Sequence, residues 1–174
     1  MIISLSGIEP QLFSLYDAEQ NELGDATLFP AEEVSSEAFQ TSLENGTPVG
    51  VRVKGDENPD LFDALLESIK LIEIAFPAFG DGRGFSLAAI FRRKGYKGEL
   101  RATGPLIPDQ AWHIARTGFD TVVLDKPERE EAFINCLKRY KLFYQTSPGN
   151  TDTAVPFKRH VGKEATKEGD RIAS

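Results

Sequence analysis

Between residues 48 and 144 short apolar runs alternate with stripes of helical spacing, and few folds accept that alternation. "PVGVRVK" (48–54) reads as a strand. Asn58 and Pro59 then supply an N-cap and a first-turn proline for a helix over 59–69, striped by Leu61, Phe62, Leu65, Leu66 and Ile69. "LIEIAF" (71–76) is a second strand, followed by a helix over about 84–94 marked by Leu87, Ile90 and Phe91. "GELRAT" (98–103) is a third strand, and Pro108 opens a helix that Gly118 closes. "TVVL" (121–124) is a fourth, and a last helix over about 128–144 carries Phe133, Cys136, Leu137 and Tyr140. The pattern predicts an α/β fold of four parallel strands alternating with helices through right-handed crossovers, either half-barrel-like or a small doubly wound sheet.

In parallel α/β folds ligands bind where loops leave the carboxyl ends of strands. Asp56, Asp81, Arg83, Asp109, Gln110 and the pair Asp125–Lys126 all fall in such loops, so they are expected on one rim. The period-two pattern also places Arg52, Glu73 and Arg101 on one face of three neighbouring strands, where helices usually cover both faces. A charge there needs a partner or water. Two readings follow: a structural ion-pair network, or a polar face that aims Arg101 at an anionic ligand. The polar face favours a barrel-like sheet.

The loop "FPAFGDGRGFS" (76–86) sets Gly80, Gly82 and Gly84 around Asp81 and Arg83, just before a helix. Three readings are open. Asp81 caps the helix in a tight turn and pairs with an arginine. Alternatively, backbone freedom at the glycines, the free N–H groups of the helix start and the Arg83 fork bind an anion. In that reading Gly82, Arg83, Gly84, Ser86, Arg101 and Gln110 form the anion site, and Asp81 or Asp109 is the acid–base candidate. The third is a metal held by Asp81 and Asp109; only two histidines, His113 and His160, exist to help, and no metal is assigned. The spacing matches neither a dinucleotide fingerprint nor a phosphate-binding loop.

Composition bounds the rest. A chain of 174 residues with 40% hydrophobic content makes one domain, set here at residues 1–145. Residues 1–50 hold nine acids and no Lys or Arg, so they carry −9 and the remainder +2, which together make the net charge of −7. That balance argues against nucleic acid as a partner. The acidic flank (1–45) is expected as a solvated arm or a docking surface, and 146–174 as a polar tail outside the core. Such appendages suggest a homodimer with exchanged arms. No apolar run approaches a bilayer span, and "MIISLSGIEP" lacks the features of a secretory leader, so a cytoplasmic location without a membrane partner is expected. The lone Cys136 leaves no internal disulfide.

The run "LIEIAFPAFGDGRGFSLAAIFRRKGYKGELRATG", followed by "DQ", "RTGFD" and a closing "YQ", resembles a bacterial family known only as domain of unknown function 934. Its members commonly carry the label of oxidoreductases involved in sulfite reduction. By position, the resemblance carries over Phe76, Pro77, Asp81, Gly82, Arg83, Gly84, Ser86, Gly98, Glu99, Arg101, Asp109, Gln110, Gly118 and Phe119. Two positions depart from it: Pro105 stands where relatives carry an acid, and Thr117 where they carry a cysteine. The resemblance implies either an accessory protein of sulfite reduction, which would dock to the reductase or its electron donor through the acidic N-terminal flank, or a stand-alone oxidoreductase or other enzyme acting on a small anion. The sequence has no motif for flavin, siroheme or an iron–sulfur cluster, so no cofactor is assigned.

Overall fold

The computed structural model describes residues 1–19 and 23–139. Its centre is one mixed, seven-stranded sheet, an open and curled half-barrel, in a mixed α/β fold. The strands are β1 (Ile2–Ser4), β2 (Ser14–Leu15), β3 (Thr27–Pro30), β4 (Val49–Lys54), β5 (Ile69–Ala75), β6 (Glu99–Thr103) and β7 (Thr121–Val123). They lie in the order β1-β7-β6-β5-β4-β3-β2. Neighbours from β2 to β7 pair in parallel, while β1 runs antiparallel to β7. The helices are α1 (Glu37–Glu44), α2 (Arg83–Arg93), α3 (Ala111–Thr117) and α4 (Glu130–Lys138).

The sheet therefore has three strands beyond the four expected, and all three come from the acidic flank. That flank is not a separate arm. Its acids are mostly exposed, but Ile3, Tyr16, Phe29 and Phe39 are buried, and the Phe29 ring sits 4.7 Å from Tyr16 and 5.2 Å from Phe39. Apolar anchors spaced this widely in strands of two to four residues leave no periodicity to read. Ser36 caps α1 by accepting the Phe39 N–H.

Two further boundaries differ. The segment expected as a helix over 59–69 is a 3-10 turn at Pro59–Leu65, and Ile69 opens β5 instead. The stripe misled because Leu61 is exposed, whereas Phe62 is buried against Phe91. Between Val49 and Gly50 the β4–β5 register slips, leaving Lys70 out of the ladder and returning Leu71, Glu73 and Ala75 to one face. Tyr140, the end of the last expected helix, and the expected tail at 146–174 lie outside the described residues.

One sheet face packs on the helices through Val49, Val51, Val53, Ile72, Ile74, Leu100, Ala102 and Val122. The other is polar. Pro30, Arg52, Glu73, Arg101, Thr121 and Ser4 form a single row across it, each paired in register with the next. No helix among the described residues is long and apolar enough to cross a membrane.

Candidate functional site

The rim at the carboxyl ends of β4 and β5 is built by one aspartate. Its carboxylate accepts the Arg83 backbone N–H at 3.0 Å, which serves a first-turn donor of α2 that Gly82 at the N-cap leaves without a side-chain acceptor. The same carboxylate of Asp81 accepts Arg83 Nη2 at 2.6 Å and Nε at 3.0 Å, a bidentate fork. These bonds push the Asp81 pKa down to about 2, with the side-chain bond from Arg83 foremost. Arg83 Nη1 also lies 3.4 Å from Asp56, in the loop leaving β4. The guanidinium thus has two carboxylate neighbours and remains 56% exposed.

The loop glycines behave differently from a ligand cradle. None of Gly80, Gly82 and Gly84 has positive φ; Gly82 sits at φ −86°. At Gly80 and Gly82 an added methyl would meet open space. At Gly84 it would lie 2.7 Å from the Phe76 ring, so this glycine exists to let α2 pack on β5. The left-handed backbone falls later, at Gly104 and at Gly118, the latter closing α3. Gly104 brings its Cα so close to β5 that a Cβ would stand 2.2 Å from the Phe76 carbonyl oxygen.

Across the rim, Gln110 Nε2 donates to the carbonyl oxygen of Phe79 at 3.2 Å, and its Oε1 accepts the Ile107 N–H. Gln110 thereby ties the loop after β6 to the loop after β5. The backbone N–H of Asp81 closes a turn onto the Ala78 carbonyl at 3.1 Å. Phe79, at the tip of that turn, is 57% exposed. Asp109 and Ser86 are exposed nearby in sequence, and neither side chain has an ion pair or hydrogen bond among the described residues. His113 packs edge-on to Phe85, with ring centroids 4.4 Å apart. Burial there, and then the Arg116 charge, hold its pKa below the ordinary histidine value. In the loop after β7, Asp125 pairs with Arg129, which also donates to the Leu106 carbonyl. The rim thus brings Asp56, Asp81 and Arg83 into one bonded set, while Gln110 holds the same loop at the Phe79 carbonyl.

Arg101 is not in that set. It sits mid-strand on the polar face, and its guanidinium turns toward the amino end of β6. There Nε and Nη2 donate to Glu99 Oε1 at 2.9 and 2.7 Å, and Nη2 donates to the Gln11 carbonyl at 2.6 Å. Thr121 donates its hydroxyl to the same Glu99 oxygen, and Glu99 Oε2 accepts the Gln11 N–H at 3.3 Å. The Arg101 and Glu99 side chains are 4% and 6% exposed. Further along the row that holds Arg101, Arg52 pairs with the buried Glu73 at 2.7 Å. The polar face is an internally neutralised ion-pair network, so Arg101 cannot reach an anion bound beside Arg83. Strand periodicity places these charges on one face; the roles of Gln11 and Phe79 carry no local signal.

Other residues shared with the resemblance hold the fold together. Gly98 leaves room for Tyr96, whose hydroxyl donates to the Glu99 carbonyl. Arg92 donates to the carbonyls of Tyr96, Gly98 and Gly118 and to the Asp120 carboxylate, which in turn accepts the Leu100 N–H. A cleft of about 560 Å³ opens at the opposite end of the sheet, lined by Asp63, Glu67, Lys70, Lys94, Lys97 and Gly98, with Lys94 bridged to Asp60 and Asp63. Among the described residues no three His, Cys, Asp or Glu side chains are grouped to hold a metal.

No match was found among curated proteins. A family model covers residues 50–155, a span that runs from β4 through the rim loop and the Arg92 and Asp120 braces to beyond α4. The chain belongs to the family described as "Bacterial protein of unknown function (DUF934)".

Proposed function

We propose that this protein is an accessory component of sulfite reduction that docks to the sulfite reductase system, or to its electron donor, through the rim loop 77–82. The pathway follows from the resemblance of its rim and brace motifs. The docking role rests on one observation: a half-exposed phenylalanine is displayed at the tip of a fastened loop. Phe79 is 57% exposed, its carbonyl is held by Gln110, and the turn beneath it is closed by Asp81, itself clamped by Arg83. An aromatic anchor presented this way loses little conformational freedom on binding, which is what interface hot spots require. The charges of Asp56, Arg83 and Asp109 supply a polar surround.

The protonation state of Asp81 supports binding over catalysis. A carboxylate held at about 2 stays ionised near neutral pH, far from the value that suits a general acid or base. A second reading is favoured by the long 3.4 Å contact between Arg83 and Asp56. A small oxyanion competing with Asp56 for the exposed side of the guanidinium would make the rim an anion site, in an accessory or in an enzyme.

Calorimetric titration of the purified full chain with sulfite reductase and, separately, with its electron donor tests the docking role. Phe79→Ala is expected to weaken binding at least tenfold and to leave the melting curve unchanged. Equal binding by the variant, or no binding by the wild type, removes the proposal. Bound chromophore, or binding of NAD(P)H or flavin, moves the assignment to the oxidoreductase reading. Thermal protection by sulfite that Arg83→Gln abolishes establishes the anion site.

A further inference from the structure

The strand order makes an unusual demand on residues 5–13. β1 lies at one edge of the sheet and β2 at the other, so the nine residues joining them must cross the polar face. They are lightly held. Ser6, Gly7, Ile8, Glu9, Gln11 and Leu12 are exposed, and none of the nine is fully buried. Their fastening at the centre is residue 11, and it uses the main chain alone: Arg101 Nη2 donates to the Gln11 carbonyl at 2.6 Å, and the Gln11 N–H donates to Glu99 Oε2 at 3.3 Å. The Gln11 residue is itself exposed, so the contact is independent of which side chain stands there.

The receiving groups are built as a site. Glu99 Oε1 is occupied by Arg101 and by the Thr121 hydroxyl, which orients Oε2 as an acceptor and Nη2 as a donor at the spacing of one residue's N–H and C=O. Two buried, oppositely charged groups presenting one donor and one acceptor read a peptide unit as a neighbouring strand would. A carboxylate or phosphate would satisfy Arg101 and repel Glu99, whereas an extended peptide satisfies both.

We propose that the Glu99–Arg101–Thr121 cluster is a main-chain recognition site for an extended peptide segment of a partner protein, occupied in this state by the chain's own residues 5–13. The tethered segment competes at an effective concentration in the millimolar range, so a partner's apparent affinity is reduced by the fraction of time the site is filled in cis. A segment with so few buried side chains opens readily. The site lies on the sheet face, apart from the rim loop, and does not depend on the docking role assigned to Phe79.

The probe is a synthetic peptide of residues 5–13, capped at both ends, titrated into the full chain alongside a copy N-methylated at the Gln11 nitrogen. Binding of the first, at least tenfold weakening by the N-methyl group, and faster hydrogen exchange in the protein's own residues 5–13 are expected. Gln11→Pro, which removes the N–H that Glu99 accepts, is expected to tighten probe binding at least tenfold, and Gln11→Ala to leave it unchanged. If Gln11→Pro does not fold, the same tightening is sought in a chain with three residues inserted after Gly7. No binding by any folded form, equal binding of the N-methylated probe, or a Gln11→Ala effect equal to that of Gln11→Pro overturns the proposal. Dimer formation by Gln11→Pro without the probe also overturns the partner assignment, by making a second copy's segment the occupant.

Discussion

Replacing Gly84 by alanine places a methyl group 2.7 Å from Phe76 Cζ and 3.1 Å from Ile74 Cγ2. The ring has little room to retreat, because it is buried and packs on Phe85 at 4.8 Å and Phe119 at 6.0 Å. Overpacking of this kind costs about 1–3 kcal/mol, of which alanine's better helix propensity recovers roughly 0.5–1. The net loss is about 0–2.5 kcal/mol, or a melting temperature up to roughly 10 °C lower in a chain of this size. Two residues earlier the expectation reverses. Gly82 has an ordinary φ of −86° and no heavy atom within 4 Å of an added methyl, so Gly82→Ala restricts the unfolded chain without a clash and stabilises by about 0.4–1 kcal/mol. Gly104→Ala combines φ +125° with a methyl 2.2 Å from a backbone oxygen that cannot move aside, and is expected to be the most damaging of the three. Urea titrations with a common m-value measure the ordering. Equal destabilisation by Gly82→Ala and Gly84→Ala would refute the reasoning, since it would mean that backbone freedom rather than helix–strand packing governs this loop.

Four further outcomes are expected. Arg101→Gln leaves Glu99 buried without its charge partner and costs about 3–5 kcal/mol, read as a drop in urea midpoint; a near-neutral result would mean that water reaches the polar face. Arg83→Gln, at an exposed pair, leaves the melting temperature at pH 7 nearly unchanged. Because Asp81 is depressed to about 2 from an ordinary 3.8, its contribution is present above 3.8 and lost as the pH falls through about 2; Asp81→Asn therefore lowers stability modestly above 3.8 and flattens the acid limb, the two curves converging below about 2. His113 is expected to titrate below 6.5 by NMR, so its contribution to stability is present above 6.5 and lost as the pH falls through its folded-state value; a midpoint at or above 6.5 contradicts the packing on Phe85.

The local signals in this chain were strong from β4 onward. Dense β-branched runs, Asn58, Pro108 and Gly118 mark elements through their own backbone chemistry, and period two puts Arg52, Glu73 and Arg101 on one face before any contact is known. The Asp81–Arg83 pair was also legible, because two residues across a strand-to-helix turn need no long-range partner to meet. Other features depend on sequence separations that no local pattern encodes. The first thirty residues enter the sheet through a few widely spaced apolar side chains, so their charge dominates the sequence while their burial decides the structure. The register of the polar row decided that Arg101 faces Glu99, and the crossing of residues 5–13 decided that it bonds Gln11, ninety positions away. Likewise Gly84 and Gly104 look like flexible loop glycines in sequence. Only the packed sheet shows that Phe76 stands where their side chains would be, because steric exclusion belongs to the neighbour and not to the glycine.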